Sequence, residues 1–211
     1  MAQIHFSVQI ESLPKALLQQ ILTSGLEVTG AAEVPAFSWR LELKRPLRRA
    51  RQIQEHFQGS QAGEYSGISP TLRYDYPGSA ASSSEAVSVR GLIRASPEDQ
   101  QVNARVENLR FPLFEGLVFK LLYKEPGIEL NQSCTVAGKV PARELHSVLK
   151  GEASRIQCSG PGKYKGFNVK VRTTVYFIEV LGLFLNANDV IESPLGPLES
   201  STKLVDVKLG H

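Results

Sequence analysis

Alternation of apolar and polar positions is the dominant pattern in this chain, and it is clearest between Tyr164 and Leu185. Apolar residues recur there at every second position with polar residues between them, which is typical of a β-strand with one solvent-facing side. From Tyr176 onward both sets of positions become apolar. A strand whose end is buried on both faces belongs inside a sheet, so we expect this segment to supply a central strand.

The same alternation predicts a sheet built largely from local antiparallel strands, with strands at 3–11, 37–43, 71–76 and 203–209 among others. It also predicts a hairpin that joins 86–95 to 101–109. Helices are fewer: Ser12 can cap a helix that ends at Gly25, and a short helix is predicted at 142–150. The fold class that follows is mainly β or α+β, a largely antiparallel, curved sheet of sandwich-like or barrel-like form with two or three short covering helices.

Length and composition favour one domain that spans residues 1–211, with a flexible loop at 77–85 where the sequence reads PGSAASSSE. The chain is 42% hydrophobic and 21% charged, which excludes a disordered protein. No apolar run approaches the roughly 20 residues of a transmembrane helix. No signal peptide is apparent at the start, so the sequence fits either a cytoplasmic protein or an exported one whose signal has been removed.

The two cysteines, Cys134 and Cys158, favour the exported alternative. Each lies near one end of a β-like segment, and neighbouring strands could bring the two sulfurs into reach of each other. We therefore predict a disulfide, worth roughly 3 kcal/mol through loop closure. An even number of cysteines fits an oxidising compartment, which predicts a periplasmic or secreted location. The alternative is a pair of separate buried thiols in a cytoplasmic protein.

A basic segment, KRPLRRAR at 44–51, is the strongest local concentration of charge in a chain whose net charge is only +3. Pro46 could start a helix that continues to Phe57, with arginines spread over its exposed faces. Such a helix can bind phosphate-rich surfaces. The candidate anion-binding surface comprises Lys44, Arg45, Arg48, Arg49 and Arg51. The alternative is a solvated face whose arginines pair with glutamates.

A second candidate surface is aromatic. Tyr65, Tyr74 and Tyr76 lie close in sequence to Arg73. Aromatic and arginine side chains on one sheet face can stack on bases or sugars. The alternative is a set of cross-strand pairs that stabilises a half-exposed sheet.

Motifs for catalysis are missing from the sequence, which has no nucleophile elbow, no phosphate-binding loop of Walker spacing and no zinc-binding cysteine pair. We expect no catalytic residue, metal or cofactor, and the leading hypothesis is a non-enzymatic envelope or secreted protein. Its partner would be a ligand, a protein or an anionic surface, with a hydrophobic ligand inside the curved sheet as the first class to test. The alternatives are a cytoplasmic nucleic-acid-binding module that uses 44–51, and an enzyme with a dispersed active site.

Overall fold

The structure is a computed structural model that describes residues 6–26, 33–46, 48–60, 65–76, 82–194 and 196–210. Within these ranges there is one α-helix, α1 (Lys15–Leu22), and there are 3₁₀ helices at Ile10–Ser12, Ala142–Glu144 and Glu179–Leu181. The strands are β1 (Phe37–Lys44), β2 (Arg51–Phe57), β3 (Ile68–Tyr76), β4 (Ser82–Val89), β5 (Ile93–Ala95), β6 (Ala104–Glu107), β7 (Val118–Glu125), β8 (Ile128–Pro141), β9 (Glu152–Tyr164), β10 (Phe167–Ile178), β11 (Leu183–Ser193) and β12 (Gly196–Leu209).

All twelve strands join one antiparallel sheet, which is nearly closed and barrel-like. The strand order is β5-β4-β3-β2-β1-β12-β11-β10-β9-β8-β7-β6. This confirms the predicted fold class. Each strand pairs with its neighbour in sequence except at two places: β1 pairs with β12, and β5 and β6 form the two edges of the sheet.

The predicted hairpin between 86–95 and 101–109 is wrong, because β5 and β6 do not pair. Instead β4 pairs with β5, and β6 pairs with β7. At the edge strand β6, the amide of Val106 donates to the carbonyl oxygen of Ser24 at 2.6 Å. The chain that follows α1 therefore satisfies the β6 edge, and the segment between β5 and β6 carries the chain across the gap in the sheet.

β10 is the central strand that the alternation predicted. It pairs along its length with β9 on one side and β11 on the other. Val175 and Phe177 point to one hydrophobic core, whereas Ile178 packs in a second. The end of β10 is thus buried on both faces, as its sequence indicated.

The two cores lie on different parts of the curved sheet. The first packs α1, through the buried side chains of Leu17 and Ile21, against strands from both ends of the strand order. The second is formed around Trp39 and Phe57 and includes residues of β10, β11 and β12. Phe37 and Phe57 stack with ring centroids 4.5 Å apart, and Trp39 meets both rings edge-on. These aromatic contacts fix the pairing of β1 with β2.

The strand predicted at 3–11 is wrong for the residues that are described, since Phe6 to Gln9 are irregular and Ile10–Ser12 is a 3₁₀ helix. The carboxylate of Glu85 accepts hydrogen bonds from the amides of Ser7 and Val8 at 2.6 and 3.1 Å. A side chain therefore satisfies backbone donors that a neighbouring strand would otherwise take. Residues 1–5 lie outside the described part.

β9 continues through Gly160 to Gly162, and the turn to β10 comes at Lys165 and Gly166. A side chain at Gly160 would place its Cβ 1.9 Å from the carbonyl oxygen of Asn131, so glycine allows β8 and β9 to approach closely here. Of the loop predicted at 77–85, residues 82–85 belong to β4, and 77–81 lie outside the described residues.

The end of the sheet that carries the 3₁₀ helices is stabilised by a fully buried arginine, Arg90. Its Nε donates to the carbonyl oxygen of Leu26 and a terminal nitrogen donates to that of Gly182, both at 3.1 Å. The guanidinium also lies 5.4 Å from the centroid of the Phe111 ring. One side chain thus joins the segment after α1, the end of β4 and the start of β11.

Candidate anion-binding surface

The antiparallel order places the connections of the sheet at two opposite ends. Connections β8–β9 and β10–β11 contain 3₁₀ helices and lie at what we call the helical end. Connections β1–β2, β3–β4, β7–β8, β9–β10 and β11–β12 lie at the other end, which we call the turn end. The candidate surface is built at the turn end.

The basic segment predicted from the sequence forms the β1–β2 connection at the turn end. Lys44, Arg45, Arg48 and Arg49 are all exposed there. Lys44 lies 3.5 Å from Glu42, whereas the other three make no ion pair with a described residue. The structure therefore brings four of the five predicted cations together on one exposed turn.

The helix predicted from Pro46 to Phe57 is wrong, because 51–57 form strand β2. Ile53 and Phe57 are buried while the residues beside them are not, and strand alternation fits this spacing as well as a helical face does. β2 pairs on both sides, with β1 and β3. Tertiary pairing has therefore decided between two patterns that share their apolar positions.

Arg51, the fifth predicted cation, is bound to a carboxylate and is not free to bind an external anion. Its guanidinium binds both oxygens of the Asp75 carboxylate, at 3.2 and 2.5 Å, and Arg73 lies 3.5 Å from the same carboxylate. Arg73 also approaches Glu55 at 3.8 Å, as does Arg94 at 3.3 Å. These five half-buried side chains form a chain of alternating charge across β2, β3 and β5.

The network also anchors the single tryptophan, whose indole nitrogen donates to Glu55 at 2.7 Å. This contact satisfies the polar atom of an otherwise buried ring. Desolvation is the main influence on Arg94 and lowers its pKa, while Glu55 opposes that shift. The network therefore stabilises the sheet below the basic turn, and Arg51 and Arg73 serve that role.

The aromatic residues of the predicted stacking surface are only partly brought together. Tyr74 and Tyr76 lie on one face of β3, with the Tyr74 ring 5.9 Å from that of His56. Arg73 lies on the opposite face, since neighbouring residues in a strand point to opposite sides. Tyr65 precedes β3 and packs against the first core. Stacking by Tyr74 and Tyr76 stays a prediction, without the arginine that suggested it.

A second basic turn, which the sequence analysis did not identify, connects β9 to β10. Lys163 and Lys165 are exposed, and Phe167 is exposed over 55% of its surface. The Lys165 amide donates to the carbonyl oxygen of Gly127 at 2.7 Å, which ties this turn to the β7–β8 turn. The Lys165 ammonium lies 5.5 Å from the ring of Tyr164. Pairing of Phe167 opposite Tyr164 places both rings on one face of the turn.

Asp189 lies between the two basic turns on the inner face of β11, opposite Thr173 of β10. Asn186 donates to its carboxylate at 2.8 Å, and Gln132 donates to the Thr173 hydroxyl at 2.9 Å. Burial raises the pKa of Asp189, and hydrogen bonds from Asn186 and Thr173 together with the charge of Arg45 oppose that increase. The carboxylate of Asp189 is therefore partly compensated by groups within the protein.

The predicted disulfide is present. Cys134 of β8 lies opposite Cys158 of β9, with an S–S distance of 2.02 Å, and both residues are buried. Neither cysteine is a free thiol, so neither sulfur can act as a nucleophile while the bond is intact. The bond joins two central strands of the half-sheet that carries the β9–β10 turn.

The described residues do not enclose an apolar cavity for the hydrophobic ligand that the sequence suggested. Side chains of the two cores occupy the buried surfaces of the sheet. An open groove of about 580 Å³ lies along β9, β10 and β11 and is lined by Pro161, Asn168, Lys170, Glu192 and Pro194, among others. Within the described ranges, no helix has the length and apolar character needed to cross a bilayer.

Comparisons with known proteins give little further guidance. No protein-family model matches the chain, and no curated protein matches it. Among solved structures, the chain is similar to one described as a "putative lipoprotein" from Parabacteroides distasonis ATCC 8503, with 7% sequence identity and a TM-score of 0.42. The alignment covers 84% of this chain and 97% of that one.

Proposed function

We propose that this protein is a non-enzymatic, extracytoplasmic binding protein that uses the turn end of its sheet to hold an anionic partner. The observation that carries this proposal is the distribution of its cations. Arg45, Arg48 and Arg49 are exposed and without an ion pair to a described residue, whereas Arg51 and Arg73 are engaged by carboxylates. Arg48 and Arg49 can therefore bind an anion without giving up an internal contact, while the charge of Arg45 also acts on Asp189.

Support for an extracytoplasmic location comes from the Cys134–Cys158 disulfide. Disulfides persist in oxidising compartments and are rare in the cytoplasm. The bond is buried in the first core, which protects it from reductants in the folded state. The location is tested by the mass of the protein isolated from its native host, alkylated under denaturing conditions with and without prior reduction. Alkylation without reduction would contradict the proposal.

Anion binding is tested by retention on a column of immobilised heparin, which is a polyanion, during elution with a sodium chloride gradient. The wild type should be retained at low salt and released as the sodium chloride concentration rises, because such binding is driven by the release of counterions. The double variant Arg48→Ala/Arg49→Ala should elute at clearly lower salt. The matched control is Arg143→Ala/Lys150→Ala, which removes two exposed cations from the helical end and should elute like the wild type.

A cytoplasmic nucleic-acid-binding module remains the second candidate, because the same exposed arginines would bind phosphates of a nucleic acid. The two functions differ in the state of the cysteines in the native host. Free thiols there, combined with heparin retention that depends on Arg48 and Arg49, would favour the nucleic-acid candidate. A disulfide in the native protein would favour the extracytoplasmic one.

A further inference from the structure

The turn end combines two features that a soluble polyanion does not require together: unpaired cations and an exposed aromatic ring. Phe167 is 55% exposed at the tip of the β9–β10 turn, and the half-buried Tyr164 lies beside it on the same face. Lys163 and Lys165 flank these rings and are exposed. Glu129 of β8 lies opposite Lys163, but neither lysine has its ammonium within 4.0 Å of a carboxylate of a described residue.

The charged side chains near Phe167 and Tyr164 lie on a different face of the sheet from the two rings. Neighbouring positions in a strand alternate between faces, so Lys163 and Lys170 lie on the outer face while the rings lie on the inner one. The exposed arginines of the β1–β2 turn lie at the same end of the sheet. The acidic residue Glu192, across from Lys170, is engaged by Arg172 at 2.8 Å. On the β9–β10 turn itself the charged residues are all cations, whereas the adjoining β7–β8 turn carries the exposed carboxylates of Glu125 and Glu129, the latter opposite Lys163.

We propose that the anionic partner is the surface of a phospholipid bilayer, with Phe167 entering the boundary between headgroups and acyl chains and the nearby lysines and arginines contacting lipid phosphates. This inference rests on the proposed function and names its partner. An aromatic side chain inserted at the interface, backed by basic residues, is the combination that holds peripheral proteins on anionic membranes. Charge complementarity selects an anionic bilayer over a neutral one.

Binding to vesicles of defined composition tests the inference. The wild type should float with vesicles that contain a phosphatidylglycerol fraction and should not float with pure phosphatidylcholine vesicles. Phe167→Ala should weaken binding about three- to tenfold, the effect of losing partial burial of one aromatic ring. Lys163→Ala/Lys165→Ala should weaken it by about fivefold for each cation removed, with less effect at high salt.

The chain offers a close control. Phe114 is 56% exposed, almost the same as Phe167, but it precedes β7 at the helical end. Phe114→Ala should leave vesicle binding unchanged. Equal losses for Phe114→Ala and Phe167→Ala would overturn the inference, because they would indicate general hydrophobic adsorption.

Depth of insertion gives a second, independent readout. Phe167→Trp should be quenched by lipids that carry bromine on their acyl chains, while Phe114→Trp and the buried native Trp39 should not be. Absence of quenching in Phe167→Trp together with absence of vesicle binding would overturn the membrane partner. If heparin retention persisted in that case, the proposed anion-binding function would stand; if heparin retention were also absent, both would fall.

Discussion

Removing the covalent link between Cys134 and Cys158 should lower the free energy of unfolding by about 3.5 kcal/mol. The bond joins residues 24 positions apart. In the chain-entropy relation, closing a loop of that size removes about 12 cal/mol/K from the unfolded state, which is about 3.5 kcal/mol at 25 °C. For a chain of this length that corresponds to a decrease of roughly 7–14 °C in Tm.

The assay is equilibrium unfolding in urea, monitored by the fluorescence of Trp39, which is buried and bound to Glu55. Oxidised wild type is compared with wild type that has been reduced while unfolded and refolded under reductant. The two samples have the same composition, so the difference reports the link and not the loss of a side chain. With a slope of about 2–3 kcal/mol/M, the midpoint should fall by roughly 1–2 M.

A loss smaller than about 1 kcal/mol would refute the reasoning. It would mean that the unfolded chain already holds β8 and β9 together, so that the link restricts little. The variant Cys134→Ala/Cys158→Ala should lose somewhat more than the reduced wild type, because it also removes two buried sulfur atoms from the first core.

Four further variants test other parts of the structure. Burial raises the pKa of Asp189, so the folded protein loses stability as pH rises above the ordinary carboxyl pKa of 3.8. Asp189→Asn should therefore unfold at a higher urea concentration than the wild type at pH 7, and this difference should disappear below pH 3.8. Burial lowers the pKa of His56, so the folded state binds fewer protons and stability falls as pH drops below 6.5; His56→Gln should flatten the urea midpoint between pH 5 and 8. Gly160→Ala should lose at least about 2 kcal/mol, since its Cβ would overlap the Asn131 carbonyl, and a wild-type melting curve would contradict that geometry. Arg90→Met should lower the free energy of unfolding by about 3 kcal/mol, because it leaves two buried carbonyl oxygens without a donor. Thermal melting followed by circular dichroism measures the loss, and a melting temperature equal to that of the wild type would contradict this role of Arg90.

The sequence was informative wherever burial alone decided the structure. Alternation identified β10 as a central strand because its pattern reflects which faces are covered. The cysteine pair was likewise predictable, since strands adjacent in sequence tend to be adjacent in the sheet. Both predictions depend on contacts between neighbouring segments.

Predictions failed where a distant contact determined the local structure. The amides of Ser7 and Val8 are taken by Glu85, and no local pattern announces such a side-chain acceptor. Glycine serves both turns and close strand contacts, so only the position of β8 shows that Gly160 allows two strands to approach closely. The apolar spacing of Ile53 and Phe57 fits a helix face as well as a strand.

The candidate surface shows the same division. The cations of the β1–β2 turn are evident from composition, but the engagement of Arg51 by Asp75 requires knowledge of the β2–β3 register. Phe167 is one of the alternating apolar positions between Tyr164 and Leu185, and the pattern alone does not set it apart. Its exposure follows from its place beside the turn, where the sheet no longer covers it.

The pairing of β1 with β12 has a consequence for how the chain is made. Whether the chain emerges from a ribosome or from an export channel, β1 to β5 appear before β12, so the early half-sheet has an open edge along Phe37 to Lys44. That edge carries Phe37, Trp39 and Leu41, which makes it a template for strands of other unfinished chains. The sheet is complete only when β12 pairs with β1, and until then the edge of β1 is open to pairing with other unfinished chains.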